Sequence, residues 1–465
     1  MMRRLAALPL LIAAALTLAG CQEWMDSFDN WFTSAHKSNL RGERISLLGS
    51  DETMAPDPAL AHTRVLLPRP YRNPDWPQPG GYPTNAMYHL DAPGPLKEQW
   101  TADAGKGSDG DSRLTAEPVV GGGRIFALDS EAHIYAFDAR TGEGLWNKRL
   151  APKNGTDMPT LWGLLGKHNT IDPPSGMGGG VAYHDGKVFV TSGFGVAYAL
   201  DARTGAFIWG HDFGVPILNA PVVVDGRLFV STADNHFWCL AESDGRELWD
   251  HQGIAESATI MTSTSVAVAG DTVIVPYSSG ELYALRMQNG QVAWSDVLSR
   301  SGQVTALSEL DDIAGRPVVD RGVVYAISHS GVMAAIKLSS GDRIWSRNVG
   351  GIETPWTAGD YVYVVTPNGK LLCLTGKDGK VRWVHQLPQW EDAVNNEHPI
   401  NWSGPVLVSN KLILVSSDGY AEAISPYDGH MMGRIDLEDG ASVAPIVANG
   451  TMYVYTDDGT LAAYR

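Results

Sequence analysis

The stretch FDARTGEGLW at 137–146 returns nearly letter for letter as LDARTGAFIW at 200–209. A catalytic motif is normally used once, whereas a structural module recurs because each copy docks on the next. A turn Gly followed four residues later by Trp recurs at Gly142/Trp146, Gly205/Trp209, Gly245/Trp249, Gly290/Trp294, Gly341/Trp345 and Gly379/Trp383. A seventh copy at Gly429 carries Gly433 in the Trp position, and Trp100 stands ahead of the series with no repeat unit before it. From Trp100 onward the intervals are 46, 63, 40, 45, 51, 38 and 50 residues. That spacing suits four short strands with their turns, the unit of a β-propeller blade.

Within each repeat apolar and polar letters alternate, as in GRIFAL, HIYAFDA, GRLFVST and HFWCLAE, the pattern of half-buried strands. DG, NG, TG and SG pairs between them supply the positive φ of tight antiparallel turns. Six positions before each anchor Gly stands a small residue: Ala136, Ala199, Cys239, Ala284, Ala335, Cys373 and Ala423, with Ala463 in the matching place of the last strand pair. A column of small residues implies crowding, expected where one blade packs on its neighbour. Cys239 and Cys373 sit in that column, which predicts free, Ala-like packing rather than a disulfide or ligand role.

The sequence closes with three strand-like runs, SVAPIVA, GTMYVYT and GTLAAYR, and lacks a fourth carrying Trp; the segment around Trp100 supplies it. Pairing the two ends closes a ring without an exposed edge. The expected fold is therefore all-β: an eight-bladed β-propeller over 94–465, closed by the N-terminal strand around Trp100 pairing with the C-terminal strands.

Residues 1–20 carry Arg3 and Arg4 and then the apolar run LAALPLLIAAALTLAG ahead of Cys21. The run is about 16 residues long, short of the roughly 20 needed to span a bilayer, so it reads as an export signal. LAGC resembles a bacterial lipoprotein cleavage site, with Cys21 the lipidated first residue, and Gln22 after it, by resemblance to sorting signals, favours the outer membrane over the inner. Residues 21–93 form a distinct arm. EWMDSFDNWF places Trp24, Phe28, Trp31 and Phe32 on one helical face, suited to the headgroup zone or to packing on the propeller or a partner. The Pro- and Gly-rich stretch after it predicts an ordered or semi-rigid extended segment.

Without the two signal arginines the formal charge moves from −17 to −19. Such a chain repels phosphate backbones, which argues against nucleic acid and for a partner that is basic where the two touch. The 13 His form no H-E-x-x-H pair or spaced Cys/His cluster. GMGGG at 176–180 precedes a strand rather than a helix, so it makes a poor phosphate loop.

LDARTGxxxW repeats resemble those of the quinoprotein-type propellers, and an eight-bladed example on a lipoprotein anchor resembles the BamB-type subunits of the outer-membrane β-barrel assembly machinery. The resemblance covers roughly 95–465 and is strongest in GVVYAISHSGVMAAIKLSSGDRIW and GELYALRMQNGQVAW; the long arm before Trp100 departs from it. It implies a non-catalytic scaffold without cofactor or metal, held on the periplasmic face of the outer membrane and binding the periplasmic domains of the membrane-embedded subunit. The alternative is a periplasmic quinone-cofactor (PQQ) dehydrogenase, which needs calcium, an Asp base and, in the alcohol dehydrogenases, adjacent cysteines. Cys239 and Cys373 are 134 residues apart, and the Asp-rich stretches GSDGDS and YTDDGT read as turns rather than calcium loops. A glycan-binding propeller is a third reading, carried by Trp162, Trp390 and Trp402, which the repeat leaves unexplained.

Connections between blades lie on one face and vary in length, the longest at 147–178, 250–262, 295–316 and 384–402, whereas turns on the other face are short. Variation confined to one face marks a functional surface. By resemblance the contact surface lies on the two connections flanking the fourth blade, HQGIAESATIM and SELDDIAGRPVV. The candidate partner-binding residues are Ile254 and Glu256 in the first, and Glu309, Leu310, Asp311 and Asp312 in the second. Ala314 stands where the family often carries a second acid.

Overall fold

A computed structural model describes residues 54–109, 112–150, 178–254, 264–299 and 312–465. The export signal, Cys21 and the Trp24–Phe32 stripe lie outside the described residues. These residues form eight four-stranded antiparallel sheets and one two-stranded hairpin, Trp390–Asp392 with Glu397–Pro399. In blades 1 to 7 the four strands follow one another in sequence order. Blade 1 is Val119–Gly121, Arg124–Leu128, His133–Asp138 and Gly144–Arg149; blade 4 is Ala267–Ala269, Thr272–Pro276, Glu281–Arg286 and Val292–Val297. Blades 2, 3, 5, 6 and 7 span 179–212, 222–252, 318–347, 356–386 and 402–436. First strands of neighbouring blades abut, so they surround the axis and fourth strands form the perimeter.

Blade 8 joins Ile446–Ala448, Thr451–Tyr455 and Thr460–Tyr464 to Glu98–Asp103 from the other end of the chain, with Trp100 opposite Ala463. The ring therefore closes by the expected strand exchange.

The DARTG turn does two jobs. Asp138 Oδ1 accepts from the Arg140 and Thr141 N–H groups and the Thr141 hydroxyl, which fixes the turn, and Asp201 repeats the pattern. The anchor Gly then takes φ between +65° and +77°, a backbone region that Gly enters without cost. Its bare Cα also receives the Trp of the preceding blade: a Cβ at Gly142, Gly205, Gly245, Gly290, Gly341, Gly379 or Gly429 would stand 2.5–2.8 Å from that ring. For the Trp of blades 1 to 6 the indole N–H also donates to a carbonyl beside the turn, as from Trp146 to Ala202 at 3.1 Å, Trp209 to Glu242 at 2.9 Å and Trp294 to Leu338 at 2.7 Å.

The small-residue column has its cause inside the blade rather than between blades. Ala136, Ala199, Cys239, Ala284, Ala335 and Cys373 each lie directly across the ladder from the Trp of their own fourth strand. The register shifts beside that pair in every one of these blades, a bulge that leaves the residue before Trp unpaired. This explains the exposed Leu145, Ile208, Leu248 and Ile344 around the rim. Both cysteines are fully buried and free.

The arm is built into the ring. Its Pro58–Leu60 turn sits near blade 6, where the Asp57 N–H meets Val381 O at 2.8 Å and the Tyr361 hydroxyl meets Arg64 O at 3.2 Å. From 71 to 92 it circles the axis, touching the first strand of every blade or the turn directly after it. Asn73 bonds blade 8, Trp76 blade 1, Pro77 blade 2, Gln78 blade 3, Pro83 blade 4, Thr84 blade 5, Tyr88 blade 6 and Leu90 blade 7. The physical reason is the inner edge: an axial strand has no neighbour on its channel side, so its N–H and C=O groups need partners from elsewhere. Prolines suit such an arm because they hold it extended and carry no N–H of their own to satisfy. Trp76, Met87 and Leu90 join the apolar core shared by blades 6, 7, 8 and 1.

Candidate functional site

The two connections that flank blade 4 meet at the end of its second strand. Gly253 packs so closely on the Tyr277 ring that a Cβ would lie 2.8 Å from it, and the Ile313 N–H reaches Tyr277 O at 3.4 Å on the other side. His251 Nδ1 lies 2.8 Å from the Tyr277 hydroxyl, and burial holds this imidazole below its ordinary pKa. Ile254 is pinned through its backbone, its N–H donating to Glu281 at 3.1 Å and its carbonyl accepting from Asn235 at 2.6 Å. Its side chain is left 59% exposed. Asp312 is only 6% exposed and lines a cavity of about 40 Å³ together with Asn235, Thr264 and Tyr277. Its carbonyl accepts from the His329 N–H at 2.9 Å. Ile254 and Asp312 thus share one locality, but Asp312 faces inward and cannot offer its carboxylate to a partner as an exposed group. Glu256, Glu309, Leu310 and Asp311 lie outside the described residues.

A second feature occupies the axis. The arm covers the ends of the first strands beside the short turns, while the connection face opens into a cavity of about 620 Å³. Arg316 and Glu117 form an ion pair in its wall, 2.6 Å apart and 9% and 7% exposed. The Gly80 N–H of the arm donates to the other Glu117 oxygen at 3.3 Å, tying plug to wall. Removing one partner from such a pair leaves an uncompensated charge, at about 3 to 5 kcal/mol. Glu353 accepts from the Gly404 N–H at 3.1 Å and from the Ser403 hydroxyl at 3.4 Å. Desolvation raises its carboxyl to about 7, and nearby Glu117 adds to the rise.

Sequence reasoning missed this cavity. Arg316 stands inside SELDDIAGRPVV but pairs with a residue 199 positions away, a partnership that no local spacing displays. Glu117 and Arg316 stand at equivalent places, each directly before the Pro that opens its blade's first strand, but Ala220, Thr354, Gly404 and Ala444 fill that place elsewhere, so the column gives no sign of an ion pair.

Among the described residues, the groups that a quinone dehydrogenase centre needs are not brought together. Cys239 and Cys373 lie in blades 3 and 6, and burial pushes the Cys239 thiol up to about 12, far from a reactive thiolate. Among the described residues, no group of three or more His, Cys, Asp or Glu side chains is placed to hold a metal ion. Trp402, a candidate glycan platform, is 7% exposed, with its indole N–H tied to Pro388 O at 2.8 Å and Tyr420 packed edge-on. Trp390 lies in the extra hairpin, and Trp162 is outside the described residues.

Relatives and solved structures agree on the architecture. The chain is 26% identical over 354 residues to the outer membrane protein assembly factor BamB of Moranella endobia, covering 76% of this chain and 86% of the relative. It is 26% identical over 368 residues to the BamB of Escherichia coli, covering 78% and 87%. The crystal structure of BamB from Moraxella catarrhalis superposes with a TM-score of 0.62 at 17% identity, covering 80% of this chain and 99% of that one. A quinohemoprotein alcohol dehydrogenase from Comamonas testosteroni reaches 0.64 at 15% identity, covering 85% and 81%; at these identities such likenesses speak for the fold alone. The family model for the outer membrane protein assembly factor BamB matches residues 90–163 and 157–385, from the closing strand through blade 6. With its Trp–Gly seams, its strand-exchanged closure and that match over most of its length, the chain belongs to the outer membrane protein assembly factor BamB family.

Proposed function

We propose that the chain serves outer-membrane protein assembly as a non-catalytic scaffold. In this reading Cys21 carries the lipid that holds it to the outer membrane on the periplasmic face. The propeller grips the periplasmic domains of the membrane-embedded assembly subunit through the connections flanking blade 4. The observation that carries the reading is the family match, which includes both connections. Ile254 adds to it: an apolar side chain left exposed on a backbone pinned at both ends is a rigid anchor of the kind that central interface contacts use. Glu309 and Asp311 would meet basic residues of the partner, and losing one side of a desolvated pair costs roughly 2 to 5 kcal/mol of binding.

The test is affinity purification from membranes at native expression, wild type beside Glu309→Lys/Asp311→Lys, with Asp312 untouched because it is buried. Barrel-assembly subunits should accompany the wild type and be sharply depleted with the variant at unchanged melting temperature. Equal recovery would remove the acidic connection from the interface. Absence of such subunits from the wild type, together with alcohol-dependent dye reduction, would favour the dehydrogenase.

A further inference from the structure

Beside the arm, whose Gly80 bonds the lining residue Glu117, the described residues form a cup of about 620 Å³ lined from blades 1 and 5 to 8 and the segments that lead into them. The charge on its lining is unbalanced. Arg316 and Glu117 satisfy each other in the wall, and Asp109 is held by Lys106 at 2.7 Å. Arg113 stands exposed among the lining residues. Two carboxylates remain whose hydrogen bonds come only from neutral donors among the described residues. Glu353 has Gly404 and Ser403; Asp457 has the Ser442 N–H and hydroxyl, at 3.3 and 2.8 Å, and the Ser108 hydroxyl at 3.4 Å. Burial raises both carboxyls above their ordinary range, Glu353 to about 7. Desolvation of that kind is relieved by an opposite charge.

Other ligand classes fit poorly. An anion would face more carboxylates than free cations. A sugar would need an open aromatic face, and Trp402, though in the cavity wall, is only 7% exposed. A metal ion would need convergent ligands that the described residues do not group together. Volume suits a group larger than a single ion, and the seated Arg316 guanidinium shows that the wall accommodates a planar cation. We propose that the cup binds an organic cation, a guanidinium or primary ammonium group, with the Glu353 carboxylate as its anchor. This inference stands apart from the assembly role.

Calorimetric titration of the detergent-solubilised full chain tests it, with agmatine, capped Gly-Arg-Gly and its citrulline analogue as probes at pH 6 and pH 8. The groups acting on Glu353 are Glu117 and Arg316; Asp109, Lys106, Arg113 and Asp457 complete the charged surroundings. A carboxyl titrating near 7 is roughly one-tenth ionised at pH 6 and nine-tenths at pH 8, so a cation that needs the ionised form should bind about tenfold more tightly at pH 8. The citrulline peptide should bind at least about tenfold more weakly than its arginine parent. Glu353→Gln, which keeps an acceptor for Gly404 and Ser403, should remove the pH dependence and most of the affinity while leaving Tm in place. If that variant fails to fold, Asp457→Asn carries the test, with a several-fold loss expected. Tighter binding of the tripeptide assigns the cation to a polypeptide side chain and tighter binding of agmatine to a free amine; both support the proposal. It is overturned by no binding at pH 8, by equal affinity for the citrulline peptide, or by unchanged affinity in a folded Glu353→Gln protein.

Discussion

The two seams that border blade 8 are built differently. Where blade 8 meets blade 1, Trp100 lies over Gly142, the arrangement that joins each of the pairs from blades 1 and 2 through blades 6 and 7. Where blade 7 meets blade 8, Gly433 stands in the Trp position, opposite Ala423, and no heavy atom lies within 4 Å of where its Cβ would be. The reason is in the connectivity. A Trp at a seam needs a receiving turn with a bare Cα and a carbonyl for its indole N–H, and that turn joins the third and fourth strands of the next blade. In blade 8 the fourth strand arrives from the other end of the chain, so no such turn exists and a Trp at 433 would find nothing to dock on. Closing the ring by strand exchange thus secures one seam and leaves its neighbour without the lock.

The comparison can be broken at several points. Deleting residues 94–104 removes the fourth strand of blade 8 along with Trp100, and we expect loss of cooperative unfolding of the whole domain. A truncated chain that melts as sharply as the intact one would show that the ring does not depend on the exchange. Trp100→Ala should cost about 3 to 5 kcal/mol, as a large aromatic deleted from a packed seam does. Trp146→Ala should cost a similar amount, measured by denaturant unfolding; a far smaller loss at Trp100 would make the non-covalent seam the weaker one. A finer contrast lies within blade 7. Gly429→Ala pushes a Cβ to 2.6 Å from the Trp383 ring at φ +77°, for about 1 to 3 kcal/mol. Gly433→Ala meets open space and should stay within about 0.5 kcal/mol; equal losses at the two glycines would contradict the account of the missing lock. A small effect is also expected of Cys239→Ala, which installs the residue that blades 1, 2, 4 and 5 use opposite their Trp. It should change stability by about 1 kcal/mol or less, read as the shift of the urea midpoint at constant slope.

Much of the fold was legible in the letters, because a repeat multiplies a weak local signal. Alternation, turn Gly and anchor Trp recur with each blade, and the unmatched Trp100 named the strand that closes the ring. The small-residue column was also visible, but its cause was not, since the partner that crowds each position is set by ladder register rather than by spacing. The candidate site divides in the same way. Ile254 and Asp312 could be chosen from the sequence as residues of two neighbouring connections. Their opposite fates could not be read there, because exposure depends on how Tyr277 and Asn235 pack between them.

Sequence alone determined the blade number, the strand exchange and the free, buried character of Cys239 and Cys373, all of which follow from a local pattern repeated blade after blade at intervals of 38 to 63 residues. Only the tertiary structure decided that the Pro-rich arm is a plug and that Glu117, Arg316 and Glu353 share one cavity. Those outcomes belong to the axis, where the unpaired inner edges of eight strands converge from distant parts of the chain. The arm satisfies those edges one blade at a time, by backbone hydrogen bonds that most side chains would permit, so no motif marks it. The buried Glu117–Arg316 pair persists because its partners are brought together by ring closure, a long-range event to which the spacing of residues along the chain is blind.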